Sequence, residues 1–203
     1  MTHDRLPRPT GFSLRITLQG VEPPVWRELE VPAKLRVARL HDAIQIAMGW
    51  QDEHLYEFRW GGFILRPEMD DDVYWDEERG RRLDADKLTL ARLGLRDDDM
   101  VSYVYDFGDH WVHAIWIMQL LYNPVPRPRV IGGEGACPPE DVGGVGGYAG
   151  FLEAWSDPDH PEHEEVRTWG TGWFSPGPFD VARANEQMAK RFRTRNQVIP
   201  KER

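Results

Sequence analysis

Cysteine is nearly absent: Cys137 is the only one in 203 residues, so no internal disulfide can form and no cysteine-rich zinc site can be built. Long apolar runs are missing too, since no stretch approaches the roughly 18 consecutive apolar residues that a membrane span needs. The opening "MTHDRLPRPTG" has no apolar signal-peptide core. These absences lead to the expectation of a cytoplasmic protein with no membrane partner. Basic residues are in deficit, 25 Lys and Arg against 34 Asp and Glu, for a net charge of −9. That balance argues against a general nucleic-acid binder, because the phosphate backbone rewards clustered cations. No Gly-Lys-Ser or Gly-Lys-Thr follows any glycine-rich stretch, so a phosphate loop is excluded.

The charge that is there is unevenly spread. Residues 181–203 hold Arg183, Lys190, Arg191, Arg193, Arg195, Lys201 and Arg203 against Glu186 and Glu202. Any contact with nucleic acid is expected through this basic tail alone, and residues 193–203 are expected to be mobile. At the opposite extreme, "EMDDDVYWDEE" at residues 68–78 carries seven acids. It lacks the alternating oxygen ligands and central glycine of an EF-hand, which predicts an exposed loop.

Periodicity gives the elements. "FSLRITLQG" alternates, with Leu14, Ile16 and Leu18 on one face, and "VWRELEVP" resumes the two-residue period after Pro23 and Pro24. In "RVARLHDAIQIAMGW" the positions Val37, Leu40, Ile44 and Ala47 follow helical spacing, and Gly49 marks the stop. Strands are expected near 12–20, 25–31, 54–65, 100–107 and 111–120, with a helix over 37–48. Residues 122–147, rich in proline and glycine, read as loop. Helices return in "GYAGFLEAWS", "DHPEHEEVRTW" and "FDVARANEQMAKRF", the last with Asp180 as N-cap. The fold class is α+β. The order of elements resembles the β-grasp, or ubiquitin-like, mixed sheet wrapped on one helix, here with an added hairpin strand and a helical C-terminal part. One domain is expected over 1–203, with the sheet over about 12–121 and the loop and helices packed on it over about 122–192.

Several segments together are similar to one family: "PPVWRELEVP", "LHDAIQIAMGWQDEHLYEF", "YVYDFGDHWVH", "ACPPEDVGGVGGYAGFLEAW" and "FDVARANEQM". They resemble the plasmid pRiA4b ORF-three-like family, and the resemblance runs from about Phe12 to Phe192. It implies a protein of bacterial or mobile-element origin whose biochemical role is unsettled. Some relatives are labelled resolvases, yet Ser13, the serine nearest the N-terminus, lies inside an alternating strand. Val142 stands where a second cysteine is common in the family, which weakens a two-cysteine metal or redox reading.

Two stretches carry chemistry. In "YDFGDHWVHAI", residues 105–115, turn chemistry accounts for Asp106 and Asp109 around Gly108, with Tyr105, Phe107 and Trp111 filling the core. It leaves over His110 and His113, imidazoles that beside two carboxylates can bind a divalent metal or move a proton near neutral pH. In "GACPPEDVGGVGGYAG", Glu140 and Asp141 add carboxylates to a glycine-rich loop. The expected polar cleft is Asp106, Asp109, His110, His113, Glu140 and Asp141, with Asp109 and His113 the ligands of any metal. His41, His54 and Cys137 are secondary candidates. No cofactor is required. The leading functional expectation is a non-catalytic binding or interaction module with a protein or small-molecule partner. The alternatives are a metal-dependent hydrolase acting on nucleic acid or a small phosphoester, and a DNA-binding accessory of a mobile element.

Overall fold

A computed structural model describes residues 7–68, 81–172, 174 and 176–193. The acidic stretch after residue 68 and the basic tail after residue 193 lie outside the described residues. Among those residues one mixed sheet of eight strands carries helices. Strands β1 (Gly11–Leu18) and β2 (Trp26–Pro32) form an antiparallel pair, followed by helix α1 (Val37–Met48). Then come β3 (Tyr56–Trp60), β4 (Phe63–Arg66), β5 (Arg81–Asp84), a 3-10 turn at Leu90–Arg92, β6 (Met100–Tyr105), β7 (Trp111–Leu121) and β8 (Arg129–Glu134). Helices α2 (Gly144–Ser156), α3 (His163–Gly170) and α4 (Val181–Arg191) close the chain. Strand order is β5-β4-β3-β6-β7-β1-β2-β8, and every pairing is antiparallel except β4 with β5.

Alternation decides which sheet face is covered. Leu14, Ile16 and Leu18 of β1, Leu29 and Val31 of β2 and Tyr103 and Tyr105 of β6 are buried, and the core they join takes in Leu40, Ile44 and Ala47 of α1. The intervening side chains of β1 and β2 are half-buried, and there Arg15 pairs with Glu28 at 2.8 Å and Arg129 with Glu30 at 2.6 Å. Helix α1 has no side-chain cap at its start. It stops at Gly49, whose φ of 95° is the left-handed turn that glycine permits.

Three expectations need correction. The strand expected over 54–65 is two strands, because Gly61 and Gly62 both take positive φ and close a tight hairpin between β3 and β4. The loop expected over 122–147 contains β8. "RVIGGE" is poor in β-formers, and the strand exists because β2 supplies a ladder and Asn185 of α4 bonds the backbone of Val130, accepting from its N–H at 3.0 Å and donating to its carbonyl at 2.8 Å. Phe107, expected in the core, is 43% exposed at the β6–β7 turn. The α4 cap matches expectation: Asp180 accepts from the Arg183 N–H at 2.9 Å.

Arg27 of β2 is 2% exposed. Its Nε donates to the Ala47 carbonyl at 2.8 Å, Nη1 to the carbonyls of Trp26 at 2.8 Å and Glu134 at 2.7 Å, and Nη2 to that of Gly135 at 3.0 Å. The guanidinium also stacks on Phe179 at 3.9 Å. Replacing Arg27 by Met keeps the stem and strands four carbonyls. We expect a loss of roughly 3 kcal/mol or more in urea unfolding. Arg27→Lys should recover only part, since an ammonium lacks the fork. An Arg27→Met midpoint equal to the parent's would contradict this.

Candidate functional site

Three segments remote in sequence meet beside the C-terminal end of α1. The first is the α1–β3 connection. Past Gly49, Trp50 Nε1 donates to the Pro138 carbonyl at 2.9 Å, and the Gln51 N–H donates to Glu140 Oε1 at 2.9 Å. The second is the β6–β7 turn, where Asp106 takes φ 55° and its Oδ1 accepts the Gly108 N–H at 2.8 Å. The third is the loop Cys137–Asp141, bound to the turn through the Gly143 N–H, which donates to Asp109 Oδ2 at 3.0 Å. Glycine is required here, since a Cβ on Gly144 would lie 2.7 Å from the Asp109 carbonyl oxygen.

His54 stands at the meeting point. Its Nε2 lies 3.2 Å from Asp141 Oδ1, 3.7 Å from Asp106 Oδ2 and 3.9 Å from Glu140 Oε2. None of these contacts has hydrogen-bond geometry, so the buried Nε2 is left without a partner, and Glu140 Oε2 is likewise unpartnered. One ligand atom each from His54, Asp106 and Asp141 falls within 4.8 Å of the other two, the grouping that a single cation needs. Glu140 is held from its other side: Oε1 accepts from the Tyr105 hydroxyl at 3.0 Å as well as from Gln51. Burial raises the Glu140 pKa above the carboxylate range, against the two hydrogen bonds and His54, which lower it. Burial first, then Glu140, raises that of Tyr105. Asp52, Asp106, His110 and Asp141 all take positive φ, so unfavourable backbone is concentrated in these segments.

Of the expected cleft residues, the structure brings Asp106, Glu140 and Asp141 together. Asp109 ties the loop instead. His110 sits exposed in the turn at φ 57°. His113 is a correction: it is 0% exposed in the core, its Nδ1 near the carbonyls of Trp111 at 3.1 Å and Tyr103 at 3.4 Å, packed edge-on to Trp50. The imidazole beside Asp106, Glu140 and Asp141 is that of His54. His41 of α1 is in a separate network, with Nδ1 2.8 Å from the Tyr103 hydroxyl and Nε2 2.7 Å from Asp52. Burial pushes the pKa of the half-buried Cys137 thiol up to about 12, away from the range of an activated thiolate. Sequence reasoning missed Tyr105 and Gln51. Tyr105 was legible only as a core aromatic, and Gln51 acts through its backbone, which leaves no trace in the side-chain pattern.

Two depressions reach these residues. One, of about 380 Å³, runs between the end of α1, the Cys137–Glu140 stretch and the start of α4. The other, of about 480 Å³, takes in Asp52, His54, Leu55 and Phe107.

Comparison with known proteins gives relatives without assigned roles. Residues 10–183 match the family described as plasmid pRiA4b ORF-3-like protein. An uncharacterised protein, y4hQ of Sinorhizobium fredii, is 41% identical over 175 residues, covering 85% of this chain and 84% of that one. The crystal structure of a protein of unknown function, MM3350 from Methanosarcina mazei Go1, superposes with a TM-score of 0.72 at 30% identity, covering 84% of this chain and 95% of that one.

His113 makes stability depend on pH. Burial lowers its pKa from 6.5 to about 4, so between those values the unfolded chain holds a proton that the folded chain does not. The His113 contribution is therefore intact above about 6.5 and is lost as pH falls towards 4, by about 3 kcal/mol at the limit. Urea unfolding of the parent and of His113→Gln at steps across this range should show the variant with the shallower pH slope. Equal slopes would refute the assignment.

Proposed function

The chain belongs to the plasmid pRiA4b ORF-3-like family, and we propose that it is a binding module whose functional element is a divalent-cation site made by His54, Asp106 and Asp141. The observation that carries this reading is the His54 Nε2 atom, buried, within 4 Å of three carboxylates and hydrogen-bonded to none of them. An imidazole nitrogen within reach of three carboxylates and hydrogen-bonded to none of them leaves its bonding capacity unused. The group is well accounted for as a ligand set. One imidazole with two carboxylates suits a first-row cation between the all-oxygen preference of magnesium and the nitrogen and sulfur preference of copper, so Mn²⁺ and Zn²⁺ are the natural probes. The strained backbone at Asp106 and Asp141 supports the same reading, since such conformations cluster where geometry serves a ligand.

The finer fold reading belongs with it. Strands β1 and β6 run in one direction, both antiparallel to β7, so β1, β2, α1, β3 and β6 read as a β-grasp with β7 inserted at its centre. No helix among the described residues is long and apolar enough to cross a membrane. We take the setting as cytoplasmic, in keeping with the single cysteine.

Calorimetric titration of untagged, chelator-stripped protein with Mn²⁺ and with Zn²⁺ tests the proposal. We expect one equivalent of cation, with affinity reduced at least about tenfold in His54→Ala and in Asp106→Asn. Asp109→Ala should loosen the loop and still bind one equivalent. Failure of the parent to bind either cation, or His54→Ala binding as the parent does, would sink the proposal.

A further inference from the structure

We propose that the sheet face turned away from the helices is where a second copy of this chain docks with two-fold symmetry, Arg15 of each copy lying over Glu28 of the other. The surface shares no residue with the cation site and does not depend on that reading.

Strand phase identifies the face. Helices α1, α2 and α4 put their buried side chains into the core that the inward positions of β1, β2, β6 and β7 form. Arg15 of β1 and Trp26, Glu28 and Glu30 of β2 occupy the alternate positions, which point the other way. Their contacts run sideways to other strands: Arg15 to Glu28 and over the Trp26 ring at 3.9 Å, Trp26 to Glu134, and Glu30 to Arg129. None of these pairs involves a helix. Around them Met100 of β6, Trp116 and Met118 of β7 and Ile131 of β8 are 42, 44, 51 and 44% exposed, large apolar side chains spread over five adjacent strands. An exposed apolar set of this extent marks a contact surface.

The face matches itself. Cross-strand register aligns Trp116, Arg15, Glu28 and Gly132 in one row across β7, β1, β2 and β8. A two-fold axis parallel to β1 and β2 and lying between them reverses that row. Arg15 then stands over Glu28 of the second copy, Glu28 over its Arg15, and each Trp116 over the other's Gly132. The glycine leaves room for the indole, since a Cβ built there would lie on this face, 3.5 Å from Glu28 Oε2 and 3.6 Å from the Trp26 ring. In one chain Arg15 and Glu28 are bonded at 2.8 Å, and stacking two copies joins both pairs into an alternating ring of four charges. The neighbouring rows set Ser13 over Glu30 and Thr17 over Trp26, so no like charges meet. Packed sheets cross at about −30°, and this row is at the crossing point.

Two further observations favour a second copy as the occupant. A chain of net charge −9 repels its own kind, and this row holds one arginine and one glutamate. Five strands spaced about 4.8 Å apart and about 26 Å long offer roughly 600 Å² per copy, so a pair buries roughly 1,200 Å², which reaches the range of specific interfaces. A nucleic-acid strand fits less well, because Arg15 and Arg129 are already paired with carboxylates on the same face.

Sedimentation of untagged full-length protein at about 50 µM, in chelator to keep the cation site out of the result, tests the proposal. We expect twice the chain mass. Trp116→Ala and Gly132→Gln, both changed outside the core, should melt as the parent does and weaken the dimer at least about tenfold. Arg15→Glu and Glu28→Arg should each sediment as a monomer, because like charges then face each other. Mixing those two variants should restore a dimer of mixed composition in native mass spectrometry, since every facing pair is again opposite in sign. A parent that stays monomeric overturns the proposal, as does a dimer that Trp116→Ala and Gly132→Gln leave unchanged. A mixture of the folded charge variants that stays monomeric overturns the arrangement of copies. Capture of a single-stranded oligonucleotide by a monomeric parent, lost in Trp116→Ala, would assign the face to nucleic acid instead.

Discussion

A buried guanidinium bonded, among the described residues, only to backbone carbonyls sets the spacing of two of the three segments of the candidate site. Arg27 reaches the last turn of α1 through Ala47, the end of β8 through Glu134, and the start of the Cys137–Asp141 loop through Gly135. Among the described residues none of its partners is a carboxylate. Four fixed carbonyl dipoles and the face of Phe179 therefore stabilise the charge, a requirement that one displaced strand would upset. The α1 terminus leads directly into Trp50 and Gln51, and Gly135 leads into Glu140 and Asp141. Two of the three segments of the site thus hang from one side chain, which also lines the cleft between them.

The remaining segment, the β6–β7 turn, continues from β6, which aromatic packing fixes. Tyr103 and Tyr105 occupy alternate inward positions of β6. The Tyr103 hydroxyl receives Gln45 Nε2 at 3.2 Å and stands 2.8 Å from His41, whose ring stacks on Tyr56 at 3.6 Å. His41 then reaches Asp52, and the Tyr105 hydroxyl accepts the Glu53 N–H at 3.1 Å. Asp52, with its positive φ, and Glu53 are thereby tied to β6, which brings His54 to the carboxylates. Burial lowers the His41 pKa, and the hydrogen bond to Asp52 opposes it, as expected of an imidazole acting as a polar strut inside a core.

How much of this was legible follows from which signals are local. The two-residue period of β1 and the helical spacing of Val37, Leu40, Ile44 and Ala47 are properties of single segments, and the structure returns them within a residue or two. β8 was hidden because its pairing depends on β2 and Asn185, both distant in sequence. The site was half legible. Carboxylates at a glycine turn and after two prolines stand out, and their meeting follows from a loop too poor in apolar contacts to fold without polar ones. The structure places His113 in the core and His54 beside the carboxylates for a simple reason. A histidine on a strand goes to core or solvent according to strand phase, and Trp111, His113 and Ile115 are in the same inward phase. His54 falls in the connection before β3, where no period governs it.

Asn185 has one more consequence, for how copies of this protein can associate. By bonding both backbone groups of Val130, it takes up bonding capacity at the β8 edge, so that edge is poorly placed to accept an added strand. Head-to-tail growth would need the β5 edge of one copy to pair with the β8 edge of the next, and it is obstructed at one end. Among the described residues the strand pairing left open is β5 against β5, an isologous contact that is satisfied after two copies. Sheet-to-sheet association is thus biased towards a closed pair and away from an open fibre.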